Sequence, residues 1–176
     1  MHADKSSLRR HIRSLKAATP PDEREAASCA LCQHIADHPR FIAAHTILLY
    51  YPLPDEVDVR PLLQHFRDKQ FLLPAVVGDD LELRAYRGKD SLRRGAFGIL
   101  EPTGDAFTDY DSIQLAIVPG VAFTPDGRRL GRGRGYYDRL LPHLTRAYKL
   151  GVCWSFQLLD DIPAEPHDSL MDSVIC

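Results

Sequence analysis

Leu8, Ile12 and Leu15 recur at intervals of three and four, which predicts an amphipathic helix over about Lys5 to Ala18 that stops before Pro20 and Pro21. Lys5, Arg9 and Arg13 recur four apart along the same stretch. A second helix is expected from about Asp22, with Ala26, Cys29 and Ile35 among its buried positions. The pattern then changes to short apolar runs. Thr46 to Tyr51, Phe71 to Val77, Leu81 to Tyr86, Ile113 to Val118 and Tyr148 to Cys153 read as strands, with a turn at Gly78, Asp79 and Asp80. A helix is expected around Pro61 to Lys69, and Gly88 to Pro102 has no clear period.

Helices alternating with short apolar strands imply an α/β fold: a single three-layer α/β/α domain, residues 1–176, with a mainly parallel central sheet. In such folds ligands sit beyond the carboxyl ends of strands. The segments that follow strands at Pro52, Pro119 and Cys153 are therefore expected to converge on one cleft.

At 176 residues and 44% hydrophobic content, the chain is long enough to bury one core. No apolar stretch approaches a membrane span, and the N-terminus lacks the apolar segment of a secretory signal, so a cytoplasmic location is expected. Cys29 and Cys32 lie three apart without a second such pair. These two, Cys153 and Cys176 are expected to be small buried hydrophobes, not redox or zinc ligands.

Chemistry concentrates between Gly127 and Gly135, where four glycines and four arginines separate a strand from a helix start in a chain of net charge −2. Glycine lets backbone amides approach a polyanion closely, and arginine supplies forked donors for phosphate oxygens. At a helix N-terminus this composition describes a phosphate cradle. A mobile basic loop and an RNA-binding arginine-glycine segment are the alternatives. The overall charge lacks the footprint of a nucleic-acid protein. The run fits neither a Walker loop nor the dinucleotide fingerprint.

Six segments in order resemble the 5-formyltetrahydrofolate cyclo-ligase family, also called 5,10-methenyltetrahydrofolate synthetase. They are KSSLR from Lys5, YPLPDEVD from Tyr51, RRGAFGILEP from Arg93, GRRLGRGRGYYDRLL from Gly127, FQ at Phe156 and Gln157, and IPAEPHD from Ile162. The resemblance implies a fold of one α/β/α domain and an enzyme that converts 5-formyltetrahydrofolate to 5,10-methenyltetrahydrofolate, with ATP as co-substrate and Mg2+ as cofactor. It implies ATP binding by Lys5, Arg9, Arg129, Leu130, Gly131, Arg132, Gly133, Arg134, Gly135, Tyr136 and Tyr137. Folate binding is implied for Tyr51, Glu56, Arg132, Gly133, Arg134, Gly135 and Tyr136, catalytic roles for Arg132, Arg134, Tyr136 and Tyr137, and metal ligation for Asp138 and Asp168. A monomer with no nucleic-acid or membrane partner is expected.

Several of these positions also have a structural reading. Asp138 suits the dipole of a helix start, Asp168 a turn cap and Glu56 a helix N-terminus, while the tyrosines suit core packing. Arg128 is expected to be solvated, and His167 to be a turn residue and not a general base. Trp154 and Phe156 are assigned neither to the pocket nor to the core. The chain departs from the family pattern at Arg134, where lysine is common, and at Cys176, after which the pattern continues with a threonine and an acidic residue.

Overall fold

The computed structural model describes residues 4–95, 98–166 and 168–176; Ala96, Phe97 and His167, which fall within the segments read above, lie outside the described residues. Asp4 caps the first helix by accepting a hydrogen bond from the Ser7 amide at 2.6 Å, and α1 runs Lys5–Ala18. Ile12 is fully buried, with Leu8 and Leu15 packed beside it. Pro21, at a first-turn position that needs no amide donor, starts α2, Pro21–Asp37. Its buried face is Ser28, Leu31, Cys32 and Ile35, spaced three and four apart. Ala26 and Cys29 face solvent, which corrects their expected burial; a helix has room for one such stripe, and the larger Leu31 and Ile35 set it.

The chain continues through α3 (Pro39–Ala43), β1 (Thr46–Leu48), α4 (Arg60–His65), β2 (Gln70–Val77), β3 (Asp80–Ala85), β4 (Leu92–Arg94), β5 (Leu100–Pro102), β6 (Leu115–Pro119), β7 (Ala122–Phe123), β8 (Arg129–Leu130), α5 (Tyr136–Leu140), β9 (Tyr148–Val152) and β10 (Ser173–Ile175). Six strands form one sheet in the order β10-β9-β6-β1-β2-β3. All neighbours are parallel except β2 and β3, the hairpin at one edge. Side chains alternate between faces as a strand requires. Ile47, Phe71, Leu73, Leu115 and Ile117 pack with α2, α3 and α4, whereas Leu48, Leu72, Ala116 and Val118 pack with Leu140, Leu141 and Leu144 at and after α5. This gives the three layers expected from the sequence.

Other local expectations shift. Leu49 still donates its amide to the Leu72 carbonyl at 2.9 Å, but the β1 ladder ends at Leu48, and the buried Leu49 and Tyr50 carry the chain outward. Helix α4 stops at His65, where Phe66 packs edge-to-face on Phe41 at 4.9 Å. The aperiodic Gly88 to Pro102 segment contains the β4–β5 hairpin, and the Val76 amide donates to Glu101 Oε1 at 3.1 Å. Cys32 and Cys153 are buried, and loss of hydration pushes both thiols up to about 12. Cys29 and Cys176 are exposed, contrary to expectation. Among the described residues, no helix is long and apolar enough to cross a membrane.

Candidate active site

Strands β1 and β6 are parallel neighbours whose chain continuations leave in opposite directions, β1 toward β2 and β6 toward β9. Such a switch point opens a crevice beyond the strands' carboxyl ends. There the segments after β1 and β6 meet around a cavity of about 350 Å3. Tyr50, Tyr51 and Glu56 form one side, and Pro119 and Gly120 another. Pro74, Val76, Leu81 and Ile99 supply an apolar wall, while Arg132, Arg134, Tyr136 and Tyr137 close it from the glycine-rich segment. Cys153, the third expected contributor, is fully buried in the core instead. Trp154 is also core: its Nε1 donates to Ser28 Oγ at 3.2 Å, and its ring stacks on Phe156 with centroids 5.7 Å apart.

A second cavity, of about 430 Å3, lies beside the start of α1. Lys5 and Arg9, one helical turn apart, reach it together with Leu130, Gly131, Gly133 and Gly135. Arg9 Nε donates to the Gly131 carbonyl at 2.8 Å, which fastens α1 to the loop. Arg129, Gly131, Gly135 and Asp138 line both cavities and so form their common wall. Arg129 and Leu130 are not in an open loop, as expected, but in β8, which pairs with β7 because Leu130 buries itself against Val121 and Ala122. Arg132 and Arg134 line the apolar cavity.

The loop holds this shape through glycine. Gly133 has φ of 100° and Gly135 φ of 70°, conformations that L side chains seldom adopt. Helix α5, at five residues, is too short to present a full dipole, so the arginines and loop amides carry the positive charge in place of the expected helix start. Arg139 ties α5 to the β2–β3 turn by donating to Asp80 Oδ1 at 2.9 Å and to the Asp79 carbonyl. Arg128 is not simply solvated: it pairs with Asp126 at 3.1 Å and donates to the Ile162 carbonyl at 2.8 Å.

Asp138, Asp168 and Glu165 are each matched to a cation. Arg129, nearly buried, donates to Asp138 Oδ1 at 2.7 Å, and its guanidinium lies 5.5 Å from the Tyr137 ring centroid. Lys5 Nζ donates to Asp168 Oδ2 at 2.8 Å and lies 3.2 Å from Glu165. Burial pulls the Lys5 ammonium toward a lower pKa, but these two carboxylates outweigh it and leave it raised. Burial foremost, and then the Glu56 charge, raises the Tyr137 phenol well above its ordinary value.

Sequence reasoning missed Lys16. It is buried in α1, donates to the Asp55 carbonyl and lies 3.3 Å from Asp55 Oδ2. Arg132 Nη2 donates to Asp55 Oδ1 at 2.6 Å and to Glu56 Oε1 at 3.2 Å. A polar residue four positions after Ile12 on the buried face is the signal that marks Lys16.

Asp4, Asp138, Glu165 and Asp168 bring carboxylates to the polar cavity. No three of His, Cys, Asp and Glu form a ready-made metal cage among the described residues. Magnesium is commonly held by one or two carboxylates together with substrate phosphates, so this donor set fits a cation that enters with a polyphosphate.

The 5-formyltetrahydrofolate cyclo-ligase family model matches residues 1–176. A 5-formyltetrahydrofolate cyclo-ligase of Mycolicibacterium smegmatis is 32% identical over 185 residues, covering 97% of this chain and 92% of its own. The solved 5,10-methenyltetrahydrofolate synthetase of Aquifex aeolicus superposes with a TM-score of 0.87 at 34% identity, over 97% of this chain and 88% of its own. The corresponding synthetase of Mycoplasma pneumoniae gives 0.80 at 28% identity over 98% of both chains. With the switch-point cavity, the paired polar cavity and a match along its full length, the chain belongs to the 5-formyltetrahydrofolate cyclo-ligase family.

Proposed function

We propose that the protein cyclises 5-formyltetrahydrofolate to 5,10-methenyltetrahydrofolate while ATP is converted to ADP and phosphate. The observation that carries this reading is the pair of adjoining cavities with one wall. The first is mostly apolar and includes the Glu56 carboxylate, and the second combines the cations Lys5, Arg9 and Arg129 with loop glycines and four carboxylates.

A formamide resists attack because its nitrogen lone pair is delocalised and oxide is a poor leaving group. In the proposed reaction the formyl oxygen attacks the γ-phosphorus and ADP departs, leaving an iminium phosphate on nitrogen 5. Nitrogen 10 then bonds to the same carbon, its proton is lost, and phosphate leaves with the carbon–oxygen electron pair. Phosphoryl transfer asks the protein for alignment and charge stabilisation.

Glu56, an acceptor when ionised, takes the amino-bearing edge of the pterin, and Tyr51 and Tyr136 supply ring surface. Lys5, Arg9 and Arg129, with the Leu130 and Gly131 backbone, hold the nucleotide phosphates. Gly135 permits close approach at the common wall, and Gly133 does so within the polar cavity. Arg132 and Arg134 stabilise the transferring phosphoryl group, and Tyr136 and Tyr137 shield the reacting centre. Asp138 and Asp168 are the residues that would hold Mg2+, which when bound offsets phosphate charge. In this reading the protein acts as a cytoplasmic monomer without a nucleic-acid or membrane partner.

Purified protein with 5-formyltetrahydrofolate and magnesium-ATP should generate the near-ultraviolet absorbance of the methenyl product and release ADP, with both signals lost when ATP is omitted. Folded protein that gives neither signal refutes the assignment.

A further inference from the structure

Deepening the reading of the cyclo-ligase site, we propose that Asp55, braced by the buried Lys16, is a positioning residue that keeps Arg132 at the mouth of the folate cavity when substrate takes Glu56. Both oxygens of the Asp55 carboxylate are occupied. Oδ1 accepts from Arg132 Nη2 at 2.6 Å, and Oδ2 lies 3.3 Å from Lys16 Nζ, which also donates to the Asp55 carbonyl. Lys16 therefore grips both the backbone and the side chain of Asp55, and the carboxylate cannot turn away without losing a partner.

Glu56 is committed as well. Its Oε1 receives Arg132 Nε and Nη2, each at 3.2 Å, and its Oε2 receives the Leu53 amide at 2.9 Å. Its side chain is only 11% exposed. A pterin edge that offers two N–H groups to Glu56 must displace at least one Arg132 bond from it, since a carboxylate has about four lone-pair sites and three are already taken. The shorter bond to Asp55 is not contested by that ligand. Asp55 thus retains a guanidinium that would otherwise move into solvent, and keeps it beside Gly131 and Gly133 where the phosphoryl group has to pass.

Lys16 gives the arrangement its firmness. An ammonium with only 7% of its side chain exposed is tolerated only when paired, and its partners are Asp55 and the face of Trp154, whose ring centroid is 5.7 Å away. The Arg132–Asp55 pair itself is 44% and 45% exposed, and such pairs add little to folding stability. The benefit of this pair is where it holds Arg132.

The test uses the whole chain and two readouts. Under limited trypsin digestion, Asp55→Asn should be cut after Arg132 several-fold faster than the parent, with cuts elsewhere unchanged. Lys16→Met should shift the same cut in the same direction. In turnover, Asp55→Asn should lower kcat about tenfold, a misplacement effect, with little change in the KM for ATP. Asp55→Glu should recover part of the loss, and Asp55→Asn should add no further loss in an Arg132→Ala background. An unchanged cleavage rate at Arg132, or an equal Asp55→Asn loss with and without Arg132, overturns the proposal. If the parent chain itself does not turn over, the cyclo-ligase reading falls, and the cleavage rates still decide whether Asp55 holds Arg132.

Discussion

The apolar cavity draws its lining from separate stretches around residues 50–56, 74–81, 99–101, 119–120 and 129–138, whereas the polar cavity is built mainly from the start of α1, the glycine-arginine segment and the carboxylates at 165 and 168. The first can select a flat, largely apolar ring system by shape and by the Glu56 carboxylate. The second selects charge, which needs cations and amides but little enclosure. Because Arg129, Gly131, Gly135 and Asp138 belong to both, anything that shifts the loop must alter both cavities, while residues confined to one should affect only its ligand.

That separation can be broken most severely by exchanging one charged group confined to each side, Glu56 on the first and Lys5 on the second. Glu56→Gln should raise the KM for 5-formyltetrahydrofolate by roughly 10- to 100-fold, the loss of a hydrogen bond to a charged group, and leave the KM for ATP nearly constant. Lys5→Met should do the reverse, because it removes a cation and leaves Asp168 and Glu165 facing the nucleotide phosphates. Steady-state kinetics with each substrate varied in turn would show it. If either variant moves both constants equally, the two cavities do not act as distinct subsites.

A smaller effect is expected at the common wall. Gly135→Ala should cost about 1–3 kcal/mol in loop stability, since the left-handed backbone disfavours a side chain. At φ of 70° the added Cβ would also lie 2.8 Å from Arg139 Nη1. Both KM values should rise together, and hydrogen exchange should quicken from Gly131 to Tyr137.

The smallest effect concerns pH, where Asp55, which holds Arg132 beside the apolar cavity, and Lys5 of the polar cavity should differ in sign. Burial pulls the Asp55 carboxyl upward, but the Arg132 hydrogen bond and the Lys16 and Arg132 charges outweigh it, so its folded pKa lies below the ordinary value. Its contribution is present above the unfolded pKa of about 3.9 and is lost as pH falls through the lower folded value. Lys5 is raised, so its contribution is present below about 10.4 and is lost as pH rises through the higher folded value. Urea midpoints measured against pH should show Asp55→Asn converging on the parent in acid, and Lys5→Met converging in alkali.

The polar cavity was the more legible of the two. Lys5 and Arg9 sit a turn apart on one helix, and the glycine-arginine run is continuous, so local spacing already groups their charges. The apolar cavity was legible only at its motif residues Tyr51, Glu56, Tyr136 and Tyr137. Pro74, Val76, Leu81 and Ile99 read as ordinary strand or linker positions, because nothing local tells an apolar side chain whether it will meet the core or a ligand. Lys16 was missed for a related reason: charge suggests solvent, and only its nonlocal partner Asp55 makes burial tolerable.

Periodicity by itself determined the α1 boundaries, the places of β2, β3, β6 and β9, the start of β1 and the alternation that points to three layers, while β4, β5, β7, β8 and β10 carried no such local signal. The features determined in this way depend on contacts within a few residues or on the two faces of a strand. Tertiary structure decided the rest: the β10-β9-β6-β1-β2-β3 order that opens the switch point, the β7–β8 pairing that takes Arg129 and Leu130 out of an open loop, and the turning of Arg132 toward Asp55 and Glu56. Those outcomes join residues as far apart as 77 positions, and their free energy exists only once the chain has brought the partners together.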